Sequence, residues 1–75
     1  MKSLYIEIWY TSASGERTNV IPFAPTLGSA KDKARQLESQ GGNNIRIDTC
    51  ACENGFVVPY TYKSYSYSKG ELNLL

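Results

Sequence analysis

Two dipeptides, Asn54-Gly55 and Ser14-Gly15, constrain the fold more than anything else in this chain. Asn-Gly is the strongest short hairpin signal, because both central residues of the favoured turn need positive φ. Ser-Gly is a weaker one. Placing each dipeptide at the centre of a two-residue turn sets the register of the strands on either side. Glu53 then faces Phe56, Ala51 faces Val58, Thr49 faces Tyr60 and Ile47 faces Tyr62. The same count from Ser14-Gly15 sets Ile8 against Ile21 and Ile6 against Phe23. Both hairpins thereby gather apolar residues on one face, as a half-buried sheet requires.

The rest of the chain fits between and around these hairpins. Leu4 to Thr11 alternates, with Leu4, Ile6 and Ile8 on one face and Tyr5, Glu7 and Trp9 on the other. Arg17 to Ala24 follows as a second strand, and Pro22 and Pro25 suit an edge and an exit. Thr26 or Ser29 caps a helix whose inner stripe is Ala30, Ala34 and Leu37, spaced i, i+4, i+7. Gly41-Gly42 stops it. Ile45 to Cys52 and Phe56 to Lys63 read as the third and fourth strands. Residues 1–63 thus form a ββαββ domain. Residues 64–75 are a Tyr/Ser-rich tail or, after a break at Lys69-Gly70, a short fifth strand of the same domain folding back on the fourth.

The expected fold class is α+β: one antiparallel sheet of four or five strands with one helix packed on one face. The helix carries the chain back across the sheet. A spatial order of second, first, third, fourth strand then makes every neighbouring pair antiparallel. The core face comprises Leu4, Ile6, Ile8, Ile21, Phe23, Ile45, Ile47, Val58, Tyr60 and Tyr62.

A chain of 75 residues supports one small core and no deep cleft; such a domain buries roughly 60% of its unfolded surface. The net charge of +1 points to neither nucleic acid nor a membrane as a general electrostatic partner. The N-terminus alternates like a strand, and no run approaches the ~20 apolar residues of a membrane span. These features give a cytoplasmic expectation. Cys50 and Cys52 share one face of a strand, where a disulfide between them is strained, and without histidine or a third cysteine they make at most half a zinc site. They read as structural thiols, with a metal shared with another chain as the alternative. No metal or cofactor is expected. With no histidine, scattered carboxylates and no glycine-rich loop ahead of a helix, an enzyme is not expected either.

Two surfaces remain. The uncovered sheet face carries Tyr5, Glu7, Trp9, Val20, Pro22, Arg46, Asp48, Cys50, Cys52, Val57, Pro59, Thr61 and Lys63 in this register. That is more apolar than a water-facing sheet, and Trp and Tyr are favoured interface anchors. The face reads as a contact or self-association surface, as a face covered by the C-terminal tail, or as a half-exposed Trp9 without a role. The helix presents Lys31 and Arg35 one turn apart, with Lys33 around the side; these either face solvent or meet phosphates or an acidic protein patch. Tyr65 and Tyr67 fall out of step with Tyr60 and Tyr62, which marks a bulge or strand end after Lys63. They read as adhesive contacts or as part of a flexible end.

The start Met1-Lys2-Ser3-Leu4-Tyr5-Ile6, the segment Leu27-Gly28-Ser29-Ala30-Lys31-Asp32-Lys33-Ala34 and the Asn54-Gly55 hairpin together resemble small phage-encoded proteins of ββαββ form. They are similar in particular to anti-CRISPR inhibitors of type I systems, over roughly residues 1 to 63. The resemblance implies a stoichiometric inhibitor that binds a host CRISPR surveillance complex and blocks target DNA pairing or nuclease recruitment. Lys31, Lys33 and Arg35 fall on the matching helix. The open face and the Tyr-rich tail have no counterpart in that family; with the residues of those surfaces added, the partner-binding set is Lys31, Lys33, Arg35, Tyr5, Trp9, Arg46, Tyr65 and Tyr67. Two alternatives stand beside this reading. One is a nucleic-acid module stacking bases on Tyr5, Trp9 and Arg46. The other is a structural, self-associating phage protein, with a homodimer as its simplest form.

Overall fold

The computed structural model describes residues 2–75; Met1, at the start of the expected domain and of the resemblance, lies outside the described residues. Strands β1 (Lys2–Thr11) and β2 (Arg17–Val20) precede helix α1 (Leu27–Ser39). Then come β3 (Asn43–Glu53), β4 (Phe56–Val57), a single 3₁₀ turn (Pro59–Thr61), β5 (Lys63–Ser68) and β6 (Glu71–Leu74). They form one antiparallel sheet in the order β2-β1-β3-β5-β6, with β4 extending the hairpin on β3. The α+β class and the central first strand match the sequence reading. The chain's end folds back as expected, but on β5 (Lys63–Ser68) and not on a strand from Phe56 to Lys63, so the sheet has six strands where four or five were expected.

The helix begins at Thr26, whose hydroxyl accepts the Ser29 N–H at 3.0 Å. It ends in a Schellman pair of hydrogen bonds, from the Gly42 N–H to the Leu37 carbonyl (2.9 Å) and from the Gly41 N–H to the Glu38 carbonyl (3.1 Å). Gly41 sits at φ +92, which a residue with a Cβ resists. Ala30, Ala34 and Leu37 pack on Ile6, Ile8, Ile45, Ile47 and Tyr67, with Leu4, Tyr10, Val20, Tyr65 and Leu72 around them. The two alanines on the inner stripe let the helix sit close to the sheet.

Both hairpin registers depart from the two-residue count. In the first, Thr11 pairs with Arg17 and Ile8 with Val20, so the loop holds five residues, Ser12–Glu16, closed by the Ser12 N–H on the Glu16 carbonyl at 2.8 Å. Ser-Gly turns are permissive enough for this longer loop. The shift of one residue moves Val20 to the core face and leaves Ile21 61% and Phe23 104% exposed. In the second hairpin the Asn54-Gly55 turn is as expected, with both φ values positive and Glu53 opposite Phe56. The ladder then stops at Pro59, which lacks an N–H. The Thr61 hydroxyl takes over, accepting the Ala51 N–H at 2.8 Å and donating to the Val58 carbonyl at 2.6 Å. Pairing resumes three residues late, with Lys63 opposite Thr49 and Tyr65 opposite Ile47. Tyr65 therefore takes the place opposite Ile47 that the uninterrupted count assigns to Tyr62, Lys63 takes that of Tyr60 opposite Thr49, and Tyr67 comes to lie opposite Ile45 in the core. Tyr60 and Tyr62 are 88% and 57% exposed.

Residues 63–74 continue the sheet and do not fold over its open face, which corrects the expectation of a covering tail. Lys69-Gly70 turns the chain with positive φ at both positions, the same solution as Asn54-Gly55.

Candidate binding face

The face opposite the helix is built from alternate residues of five strands. Strand β1 contributes Tyr5, Glu7 and Trp9; β2 contributes Arg17 and Asn19; β3 contributes Arg46, Asp48, Cys50 and Cys52; β5 and β6 contribute Ser64, Ser66 and Asn73. It is more polar than the sequence register made it. Val20 has turned to the core, Pro22 is buried, and Ser64 and Ser66 stand where Thr61 and Lys63 were expected.

Glu7 lies directly opposite Asp48, a like-charge pair that weakens a bare sheet. Here each of the four carboxylate oxygens has a donor. Tyr5 donates to Glu7 Oε2 at 2.8 Å and Asn19 Nδ2 to Oε1 at 2.9 Å. Ser64 donates to Asp48 Oδ1 at 2.8 Å, and Arg46 grips both oxygens of Asp48 at 3.1 Å through Nε and Nη2. The fork geometry is the strong form of such a pair, and Asp48, 7% exposed, needs it. The hydrogen bond to Glu7, and next the charge of that carboxylate, raise the Tyr5 phenol above its ordinary 10.0.

Within this frame Tyr5, Trp9, Arg46 and Tyr62 border one shallow depression of about 290 Å³, with Glu7, Asp48, Thr49 and Cys50 completing its wall and floor. Trp9 is half-buried between its register neighbours Asn19 and Arg46. Cys50 is buried and its thiol donates to the Val58 carbonyl at 3.3 Å; both cysteines are free. Tyr5 also borders a second groove, with Leu4, Ile21, Pro22 and Phe23. The open face and the segment ahead of the helix therefore meet at one side chain.

Of the eight residues singled out from the sequence, the structure brings Tyr5, Trp9 and Arg46 together. Lys31 and Arg35 are exposed on one flank of α1, where Arg35 pairs with Asp32 at 3.3 Å. Lys33 is on the other flank, donating to Gln36 at 3.2 Å and bordering Phe23. Those three cations do not converge on one patch. Tyr67 is 5% exposed in the core and Tyr65 packs against it, which corrects their placement on an adhesive or flexible end. The sequence reading missed Tyr62 and Phe23 as surface residues because it put both in the core. The proline at position 59 was the available signal for Tyr62; nothing local marks the longer first loop.

No helix among the described residues is long and apolar enough to cross a membrane. Comparison with protein-family models, with curated proteins and with solved structures yields no match for this chain.

Proposed function

We propose that this chain is a small non-enzymatic binding protein that docks its open sheet face on a partner protein. One observation carries the reading: Tyr5, Trp9, Arg46 and Tyr62 surround a single depression on adjoining strands and the turn beside them. Trp, Tyr and Arg are the residue types that dominate interface energetics, and they do so best when clustered. Here the backbone ladder holds Tyr5, Trp9 and Arg46, and the Glu7 and Asp48 networks fix Tyr5 and Arg46 further, before any partner arrives. A preorganised cluster loses little side-chain entropy on binding. The carboxylates at the site are already hydrogen-bonded, so covering them leaves no bare charge behind.

The resemblance to type I anti-CRISPR proteins makes a crRNA-guided surveillance complex the specific partner in this proposal. The outcome is blocked DNA pairing or blocked nuclease recruitment in the host cytoplasm. A plasmid-interference assay with the gene supplied in trans tests it. Restored transformation in a type I host supports the proposal, and full interference in every type I subtype tested overturns it. Trp9→Ala and Tyr62→Ala are expected to lose the inhibition. Reversing Lys31, Lys33 and Arg35 to Glu is expected to keep it, because those charges are split between two flanks and two of them have partners on the helix. Loss in the helix mutant with retention in Trp9→Ala would move the docking surface to α1.

Two aromatic rings beside an arginine on a sheet also suit base stacking. Glu7 and Asp48 at the same depression oppose a phosphate backbone, which ranks this reading second. Strong, salt-sensitive gel shifts with free single strands would promote it.

A further inference from the structure

The sheet has two outer edges, and they differ. On the β2 side the Arg17 side chain reaches back to the Thr11 hydroxyl (3.2 Å), and Pro22 follows the strand within two residues. A charge and a proline are the usual devices that keep an edge from pairing. On the β6 side no element among the described residues covers the edge, β6 carries no proline, and its one charge, Glu71, sits at the start of the strand beside the Lys69-Gly70 turn, turning its N–H and C=O toward Ser68.

The backbone groups of that edge are assignable. The Leu75 N–H donates to the Ser64 carbonyl at 2.8 Å, so the Ser64–Leu75 pair is hydrogen-bonded. Hydrogen-bonded and non-hydrogen-bonded pairs alternate along an antiparallel ladder. Asn73 and Glu71 therefore turn their N–H and C=O groups toward Ser66 and Ser68, while Leu72 and Leu74 turn theirs outward. The side chains of those two leucines lie on the helix side of the sheet. Leu74 is 65% exposed and Leu75 beyond it 71%.

We infer that β6 is the docking edge for a second copy of this chain, joining two sheets into one. The edge is self-complementary. With Asn73 on a two-fold axis, Leu72 of each copy faces Leu74 of the other as a hydrogen-bonded pair. All four outward N–H groups and all four outward carbonyls at these positions then pair. The leucine side chains meet on the helix side, and the two Asn73 amides meet on the open face. This is an isologous contact, the commonest form of homodimer, made by strand addition. A four-residue edge buries less than the ~1,000 Å² of a stable interface, so the dimer is weak and concentration-dependent. Its consequence is a continuous open face with two Tyr5–Trp9–Arg46 depressions, which raises avidity for a repeated target. The inference rests on edge geometry and is independent of what the open face binds.

Sedimentation velocity over a concentration series tests it, together with amide hydrogen exchange of the full chain. The weight-average mass should rise from one chain toward twofold. The Leu72 and Leu74 amides should become protected as it does, while the Asn73 amide stays protected throughout. Leu74→Pro removes an outward N–H that bonds nothing within the chain. It should give a monomer at every concentration with an unchanged circular dichroism spectrum. If that variant unfolds, Leu74→Lys puts a charge on the edge and should give the same loss of dimer. A wild-type chain that stays monomeric throughout the series overturns the inference. So does a dimer that survives both substitutions, or one whose Leu72 and Leu74 amides exchange freely.

Discussion

Tyr5 shows how much one side chain does on this surface. Its hydroxyl holds Glu7, which stands across from Asp48, and its ring joins the central depression to the Phe23 groove. The neutral phenol is the form that donates to the carboxylate, so folding raises its pKa above 10.0. The sign follows: the folded chain keeps this proton longer than the unfolded one. The contribution to stability is therefore present below the unfolded value and lost as pH rises through the folded one. In an alkaline titration followed by phenolate absorbance, one component should ionise above the ordinary tyrosine value of 10.0. The late component should disappear in Tyr5→Phe. A Tyr5→Phe variant with an unchanged titration curve would show that the hydrogen bond to Glu7 does not persist in solution.

At the scale of an element, the end of α1 is the most exacting feature. Gly42 is buried, and a Cβ added there would stand 2.8 Å from the Leu37 carbonyl oxygen. That oxygen accepts the Gly42 N–H, so neither group can withdraw without opening the helix cap. Gly42→Ala should cost about 1–3 kcal/mol, the range for forced overpacking. It should appear as a lower denaturation midpoint at unchanged slope. The cap also sets where β3 starts. Asn44, at φ 53, follows within two residues, where the β1–β3 register shifts between Trp9 and Thr11. The Arg17 guanidinium donates to the Asn44 carbonyl there. The pairing of helix end, bulge and β2 places Trp9 and Arg46 side by side.

For the whole molecule, stability comes from one side of the sheet. Ile6, Ile8 and Ile47 are its largest fully buried side chains, and all lie under the helix. A domain of this size has on the order of 5 kcal/mol to lose. Ile8→Ala, at a site with 0% exposure, should remove about 2–4 kcal/mol and leave a chain near its folding midpoint. Trp9→Ala, on the other face, should cost less than half as much by the same denaturation measurement. An equal loss would mean that the open face contributes to stability as much as the core does. The asymmetry is what frees the open face for binding: its residues are held by hydrogen bonds and register, and its aromatic groups are spared from the core.

Local chemistry determined the element order. The Asn54-Gly55 turn, the cap at Thr26, the Gly41-Gly42 stop and the alternation of Leu4 to Trp9 each act within a few residues, and each stands in the structure as read. The class of fold follows from them, as do the core members Ile6, Ile8, Ile45, Ile47, Ala30, Ala34 and Leu37 and the meeting of Tyr5, Trp9 and Arg46 on one face. The register beyond each turn is a different kind of quantity. It depends on how long the Ser14-Gly15 loop closes and on how far Pro59 displaces the chain, and both are decided by which residues the helix can cover. One extra offset in the first hairpin exposed Phe23, and three looped-out residues in the second left Tyr60 and Tyr62 exposed and put Tyr65 and Tyr67 opposite Ile47 and Ile45. Side chains in a strand alternate with a period of two, so such shifts decide which face a residue occupies. Only packing against α1 and β6 selects among them.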